Sequence, residues 1–99
     1  MVSRGCVYIL TNKHNTTLYT GVTSNLRVRL WEHKNKYYPK SFSARYNLNK
    51  LVYYEVYGSI EEAIAMEKYI KGKSRAYRES LIEKTNPEWQ DLGIEVEAW

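Results

Sequence analysis

Residues 6–23 read CVYILTNKHNTTLYTGVT, and the organisation of the chain follows from how this stretch pairs with itself. CVYILT (6–11) and LYTGVT (18–23) are short runs rich in β-branched and aromatic residues. The polar NKHNT (12–16) between them has turn composition, so the two runs read as a β-hairpin. Alternation places Cys6, Tyr8 and Leu10 on one face of the first strand and Val7 and Ile9 on the other. A turn centred on Lys13 and His14 would set Tyr8 directly opposite Tyr19, with the two rings side by side. Gly21 weakens a strand for no local gain, which marks a close approach of backbone or ligand.

Outward from the hairpin, Ser24 or Asn25 can cap a helix that runs to about Asn35 and carries Leu26, Leu30 and His33 on one stripe. Residues 36–50 lack a clean period, contain Pro39 and read as an ordered basic loop. LVYYEVY (51–57) is a third strand. Ser59 and Glu62 have capping-box spacing and open a helix to about Lys71. Gly72 suits its C-terminus, Ser74 starts another helix to about Lys84, and Pro87 ends the helical tendency. The tail beyond Trp89 reads as irregular or weakly extended. The expected fold is α+β: a small three-stranded sheet with an N-terminal hairpin, packed with about three helices, in one domain over residues 1–99 with its core at 2–92.

Composition bounds the partners. Fifteen Lys and Arg against 11 Asp and Glu give a net charge of +4, which favours polyanions. The excess is concentrated where Arg27, Arg29, Lys34, Lys36, Lys40 and Arg45 face the single acid Glu32. Trp31, Tyr37, Tyr38, Phe42 and Tyr46 are interleaved with them. Charge for phosphates and rings for bases suit a nucleic-acid surface; the other reading is a solvated helix followed by a loop whose rings fold back onto the core. Cys6 is the single cysteine, so neither an internal disulfide nor a cysteine metal cluster can form. No apolar run approaches the length of about 18 residues that a membrane span needs, and the N-terminus lacks a secretory pattern, which points to the cytoplasm.

Some residues are not explained by packing. Glu67 lies three residues after Ile64 and three before Ile70, on a stripe with Ile60 and Ala63. An inward carboxylate costs several kcal/mol unless it is paired or binds a cation; otherwise Glu67 stands at the stripe's margin. Arg29 and His33 are four apart and share a helix face, either as site residues or as a surface arginine beside a core-edge histidine. Together, two tyrosines, an Arg–His pair and an inward glutamate have the parts of a phosphoryl-transfer site: a base, a cationic clamp and a metal carboxylate.

These residues resemble the GIY-YIG nuclease superfamily. Cys6-Val7-Tyr8 stands for its first motif and Tyr19-Thr20-Gly21 for its second, with the tyrosines eleven residues apart. Arg29 comes eight residues after Gly21 and His33 four later, matching the family's arginine and its companion histidine. Glu67 in MEKYIKG matches its metal-binding glutamate, and Asn86 in TNPEW falls where many members have an asparagine near the metal. FSARYNLNKLVYYE and NPEWQDL look like the small, single-domain bacterial branch related to the N-terminal nuclease domain of the excision-repair endonuclease. Cys6 and Thr20 depart from the family's glycine and isoleucine, and neither departure removes a functional group.

The resemblance implies a DNA endonuclease in which Glu67 holds one Mg²⁺ or Mn²⁺, Tyr8 or Tyr19 deprotonates water and Arg29 neutralises phosphate charge. His33 would orient a tyrosine or assist proton transfer, with Gly21 and Asn86 in support and Lys34, Lys36, Lys40 and Arg45 on the nucleic acid. A free tyrosine titrates near pH 10, so its phenolate must be favoured by a cation. The alternatives are a nucleic-acid binding module without turnover and a subunit that cuts when a protein partner delivers the substrate.

Overall fold

The computed structural model describes residues 4–99; residues 1–3, with the expected start of the core at residue 2, lie outside the described residues. Its elements are β1 (Gly5–Thr11), β2 (Leu18–Thr23), α1 (Leu26–Lys34), α2 (Phe42–Arg45), β3 (Lys50–Tyr57), α3 (Ile60–Lys71), α4 (Arg75–Thr85) and α5 (Gly93–Glu97). The sheet order is β2-β1-β3, antiparallel throughout, so the α+β reading and its hairpin hold. Central β1 is buried along its whole length because helices cover both faces. Cys6, Tyr8 and Leu10 pack with Leu26 and Leu30 of α1, Leu48, Leu51 and Val96 of α5. On the reverse face, Val7 meets Ala63 and Ile70 of α3, and Ile9 meets Val52, Tyr53 and Ile82 of α4.

The hairpin register differs from the expected one. Tyr8 pairs with Gly21, and Tyr19 stands opposite Leu10. The loop is centred between His14 and Asn15, because the Asn12 side chain accepts from the Thr16 and Thr17 amides at 2.8 and 3.3 Å and Asn15 takes a left-handed φ of 59°. Shifting the centre by one residue slips the pairing by two, which leaves both tyrosines on the expected face.

The helix starts follow their caps. Asn25, Ser41, Ser59 and Ser74 each accept an amide of the first turn. At Ser59 the hydroxyl also donates to the Glu62 carboxylate at 3.2 Å. Two expectations are corrected. The basic loop contains the single turn α2, and the tail beyond Trp89 ends in α5 rather than in irregular or extended chain.

The tail is fixed to the edge strand β3. Register shifts between Ile9 and Leu10, leaving Val52 as an extra residue in β3. Its carbonyl accepts from Asn86 Nδ2 at 3.1 Å. The Leu51 amide donates to Asp91 Oδ1 at 3.1 Å, and the Leu51 carbonyl accepts from the Leu92 amide at 2.7 Å.

Candidate active site

On the α1 face, Tyr8, Tyr19 and His33 converge, with His33 ring centroids 5.8 Å from Tyr8 and 5.9 Å from Tyr19 and the tyrosine rings 6.3 Å apart. The close approach requires Gly21: a Cβ there would lie 2.4 Å from Tyr8 Cζ. Tyr8 is fully buried, and its hydroxyl lies 3.0 Å from His33 Nε2. The other imidazole nitrogen, Nδ1, lies 2.7 Å from Ser43 Oγ.

Burial shifts both groups toward their neutral forms. It pushes the Tyr8 phenol well above its ordinary value near 10; Tyr19 adds to this, and the Arg29 guanidinium opposes it. Burial, with Arg29 as a smaller cause, lowers His33 from 6.5 to about 4, so the imidazole is neutral at pH 7.

In front of this pair is a cavity of about 170 Å³ lined by Tyr19, Arg29, Glu32, His33, Lys36, Tyr38 and residues 41–44. Arg29 is partly exposed and paired through Nε to Glu32 at 3.0 Å, an i,i+3 pair on α1. Glu32, in sequence just the single acid of the basic stretch, has the i,i+3 spacing from Arg29 that signals this pair. Ser41 and Ser43 were also missed; in a loop without a period, no spacing distinguishes one serine from another.

Lys36 enters the cavity wall through a helix terminus. The Tyr37 amide bonds the Glu32 carbonyl at 2.9 Å and the Lys36 amide the His33 carbonyl at 3.3 Å, a Schellman closure of α1. That closure places Lys36 at a left-handed φ of 50°, the position glycine normally fills. Lys40 and Arg45 are exposed, and Lys34 is paired with Glu97 of α5 at 3.0 Å. Trp31, Tyr37, Tyr38, Phe42 and Tyr46 stay between 47% and 57% exposed, which overturns the reading in which they fold back onto the core. They form short ranks instead, Trp31 against Tyr37, Tyr37 against Tyr38, and Tyr46 against Phe42, which stacks on Tyr19.

Glu67 and Asn86 are placed elsewhere. Glu67 is buried on the α3 stripe between Ala63 and Ile70, on the sheet face opposite Tyr8. The stripe is rotated from the expected one, since Ile64 is exposed. One carboxylate oxygen of Glu67 is paired with Lys71 Nζ at 2.6 Å. The two sheet faces meet at edge strand β2, and α3 packs on β1 and β2. Among the described residues no three His, Cys, Asp or Glu side chains converge as a metal cage. Once its pair with Lys71 is loosened, this nearly buried carboxylate fits a hard divalent ion whose shell is completed by water and substrate oxygens. Asn86 is the C-cap of α4, with its amide spent on backbone: Nδ2 donates to the Val52 and Gln90 carbonyls, and Oδ1 accepts from the Gln90 amide at 3.1 Å.

The model of the GIY-YIG catalytic domain matches residues 4–81. The chain belongs to the GIY-YIG family. A UPF0213 protein of Syntrophus aciditrophicus (strain SB) is 39% identical over 87 residues, covering 88% of this chain and 98% of that relative. A UPF0213 protein of Autographa californica nuclear polyhedrosis virus is 39% identical over 83 residues, covering 83% and 78% of the two chains. A UPF0213 protein of Clostridium perfringens (strain 13 / Type A) is 41% identical over 76 residues, covering 77% and 80%. No solved structure matches the chain. Membership of the GIY-YIG family brings nuclease activity in general and a nucleic-acid substrate. No described helix is long and apolar enough to cross a membrane.

Proposed function

We propose that the protein is a metal-dependent endonuclease hydrolysing phosphodiester bonds in DNA. The observation that carries this reading is the cavity itself, where Tyr19, Arg29 and His33 meet in front of buried Tyr8, beside exposed lysines and rings. A phosphate in the cavity would meet the Arg29 guanidinium, which neutralises the charge that builds on its oxygens in the transition state. Arg29 is available for this at the cost of loosening its pair with Glu32. Tyr19 lines the cavity and is the tyrosine that a water molecule can reach, so we assign it the water's proton. Tyr8 has no exposed surface and its hydroxyl faces His33, so it backs the site.

Glu67 would hold the ion, one Mg²⁺ or Mn²⁺, which when bound supplies Lewis acidity at a phosphate oxygen. Lys36, Lys40 and Arg45 would hold the flanking phosphates, with the exposed rings offering faces to bases.

Nicking of supercoiled plasmid in Mg²⁺, Mn²⁺ or EDTA tests the reading, with wild type beside Glu67→Gln. We expect nicking in either metal, none in EDTA and none from the variant. Equal traces from both proteins would overturn it and leave a binding module or a subunit awaiting its partner.

A further inference from the structure

The hydrogen bonds behind the cavity run in one direction, and that direction gives a role to a serine outside the family motifs. The Tyr8 hydroxyl is fully buried, and His33 Nε2 is its one hydrogen-bond partner among the described residues. A buried hydroxyl with one partner gives that partner its proton, so Tyr8 donates to His33 Nε2, 3.0 Å away. An Nε2 that accepts requires the proton of a neutral imidazole to sit on Nδ1. Nδ1 then donates to Ser43 Oγ at 2.7 Å. Ser43 is 4% exposed, so no bulk water competes for that bond. The Ser43 hydroxyl can pass its own proton to Ser41 Oγ at 3.3 Å, an atom that also takes the Ala44 amide as the cap of α2. The donors from Tyr8 through His33 to Ser43 thus each have an acceptor, whereas the reverse tautomer would leave the buried Tyr8 proton without one among the described residues.

We propose that Ser43 is a positioning residue: by accepting the Nδ1 proton it locks His33 in the tautomer that accepts the Tyr8 hydroxyl, and so fixes the imidazole that packs against Tyr19 in the cavity. This role rests on the nuclease reading. The titratable and charged groups around His33 are Tyr8 of β1 and Tyr19 of β2, whose rings it meets, and Arg29, Glu32, Lys36 and Tyr38, which line the cavity with it. None of them offers Nδ1 an alternative hydrogen bond among the described residues.

The test combines ¹⁵N-histidine NMR with steady-state nicking for wild type, Ser43→Ala and Ser43→Thr. Exposed His14, the second of the two histidines, serves as an internal reference. In wild type, His33 should show the Nδ1–H tautomer. In Ser43→Ala that signal should shift toward a mixture of tautomers, with kcat lower by about 10- to 100-fold, the scale for losing a group that orients a histidine through its far nitrogen, and KM unchanged. Ser43→Thr keeps the hydroxyl and should restore both. An Nε2–H tautomer in wild type, or an unaltered His33 signal in Ser43→Ala, would overturn the assignment. So would a loss of kcat that Ser43→Thr fails to rescue despite a wild-type tautomer. The NMR arm needs no turnover, so a protein that does not nick DNA would sink the nuclease reading while the tautomer still decides the role of Ser43.

Discussion

The two faces of the sheet share the same three strands but are built differently. Under α3 and α4, Val7 and Ile9 contribute aliphatic side chains to Ala63, Ile70 and Ile82, a dry layer whose interior polar groups are few. Under α1, Cys6 and Leu10 are equally apolar, yet Tyr8 between them opens a polar chain through His33, Ser43 and Ser41. Burying such a chain is costly unless each donor finds an acceptor, which is why its geometry is tightly specified. Glu67 apart, the dry face therefore carries stability, while the polar face carries the tyrosines, arginine and histidine of the site, and variants can be chosen to separate them.

Ile82→Ala, which opens a cavity in the dry layer, should cost about 2–5 kcal/mol of stability. Urea unfolding would measure this, and nicking per folded molecule should be preserved. Arg29→Ala should do the opposite: nicking falls by about 10²- to 10³-fold, with the urea midpoint almost unmoved because the side chain is partly exposed. If either variant altered both properties equally, the division between faces would fail.

Asn86 sharpens the comparison. Its amide bonds serve the backbone near β3, so Asn86→Ala should destabilise by about 1–3 kcal/mol through unpaired buried groups, with metal-dependent nicking retained. A loss of nicking at unchanged stability would instead return Asn86 to the metal's surroundings.

The polar face should also be the pH-sensitive one. His33 titrates at about 4 in the fold against 6.5 when free. Between those values the unfolded chain binds a proton that the folded chain refuses, so this contribution is intact above pH 6.5 and is lost as pH falls toward 4. Urea midpoints at pH 7, 5.5 and 4.5 should decline, and His33→Gln should flatten the decline. The smallest effect is at Lys36. Lys36→Gly removes a left-handed strain and should stabilise by about 1 kcal/mol, while DNA binding weakens and its dependence on salt becomes shallower.

Much of this architecture was legible because hydrophobic period and caps agreed. CVYILT, LYTGVT and LVYYEVY are rich in β-branched and aromatic residues, and Asn25, Ser59 and Ser74 precede helical stripes. The turns α2 and α5 were not legible: at four and five residues they are too short to show a period. The hairpin register was missed because the Asn12 side chain, rather than a two-residue turn, sets the loop. At the site, the resemblance supplied Tyr8, Tyr19, Arg29, His33 and Glu67, but the sequence could not reveal that α3 approaches the sheet from the other side. Asn86 carried a readable signal that was read differently, since an asparagine before proline at a helix end is also a capping pattern.

The attachment of the tail to β3 has a consequence for the chain's behaviour in crowded solution. An outer strand with free amides and carbonyls is a template on which another molecule's strand can add, the first step of sheet-to-sheet aggregation. Asn86, Asp91 and Leu92 occupy those groups at Leu51 and Val52 with partners from the same chain. The segment that carries no motif tyrosine, arginine or glutamate thus guards that end of β3, where a strand from another molecule would find the backbone already paired.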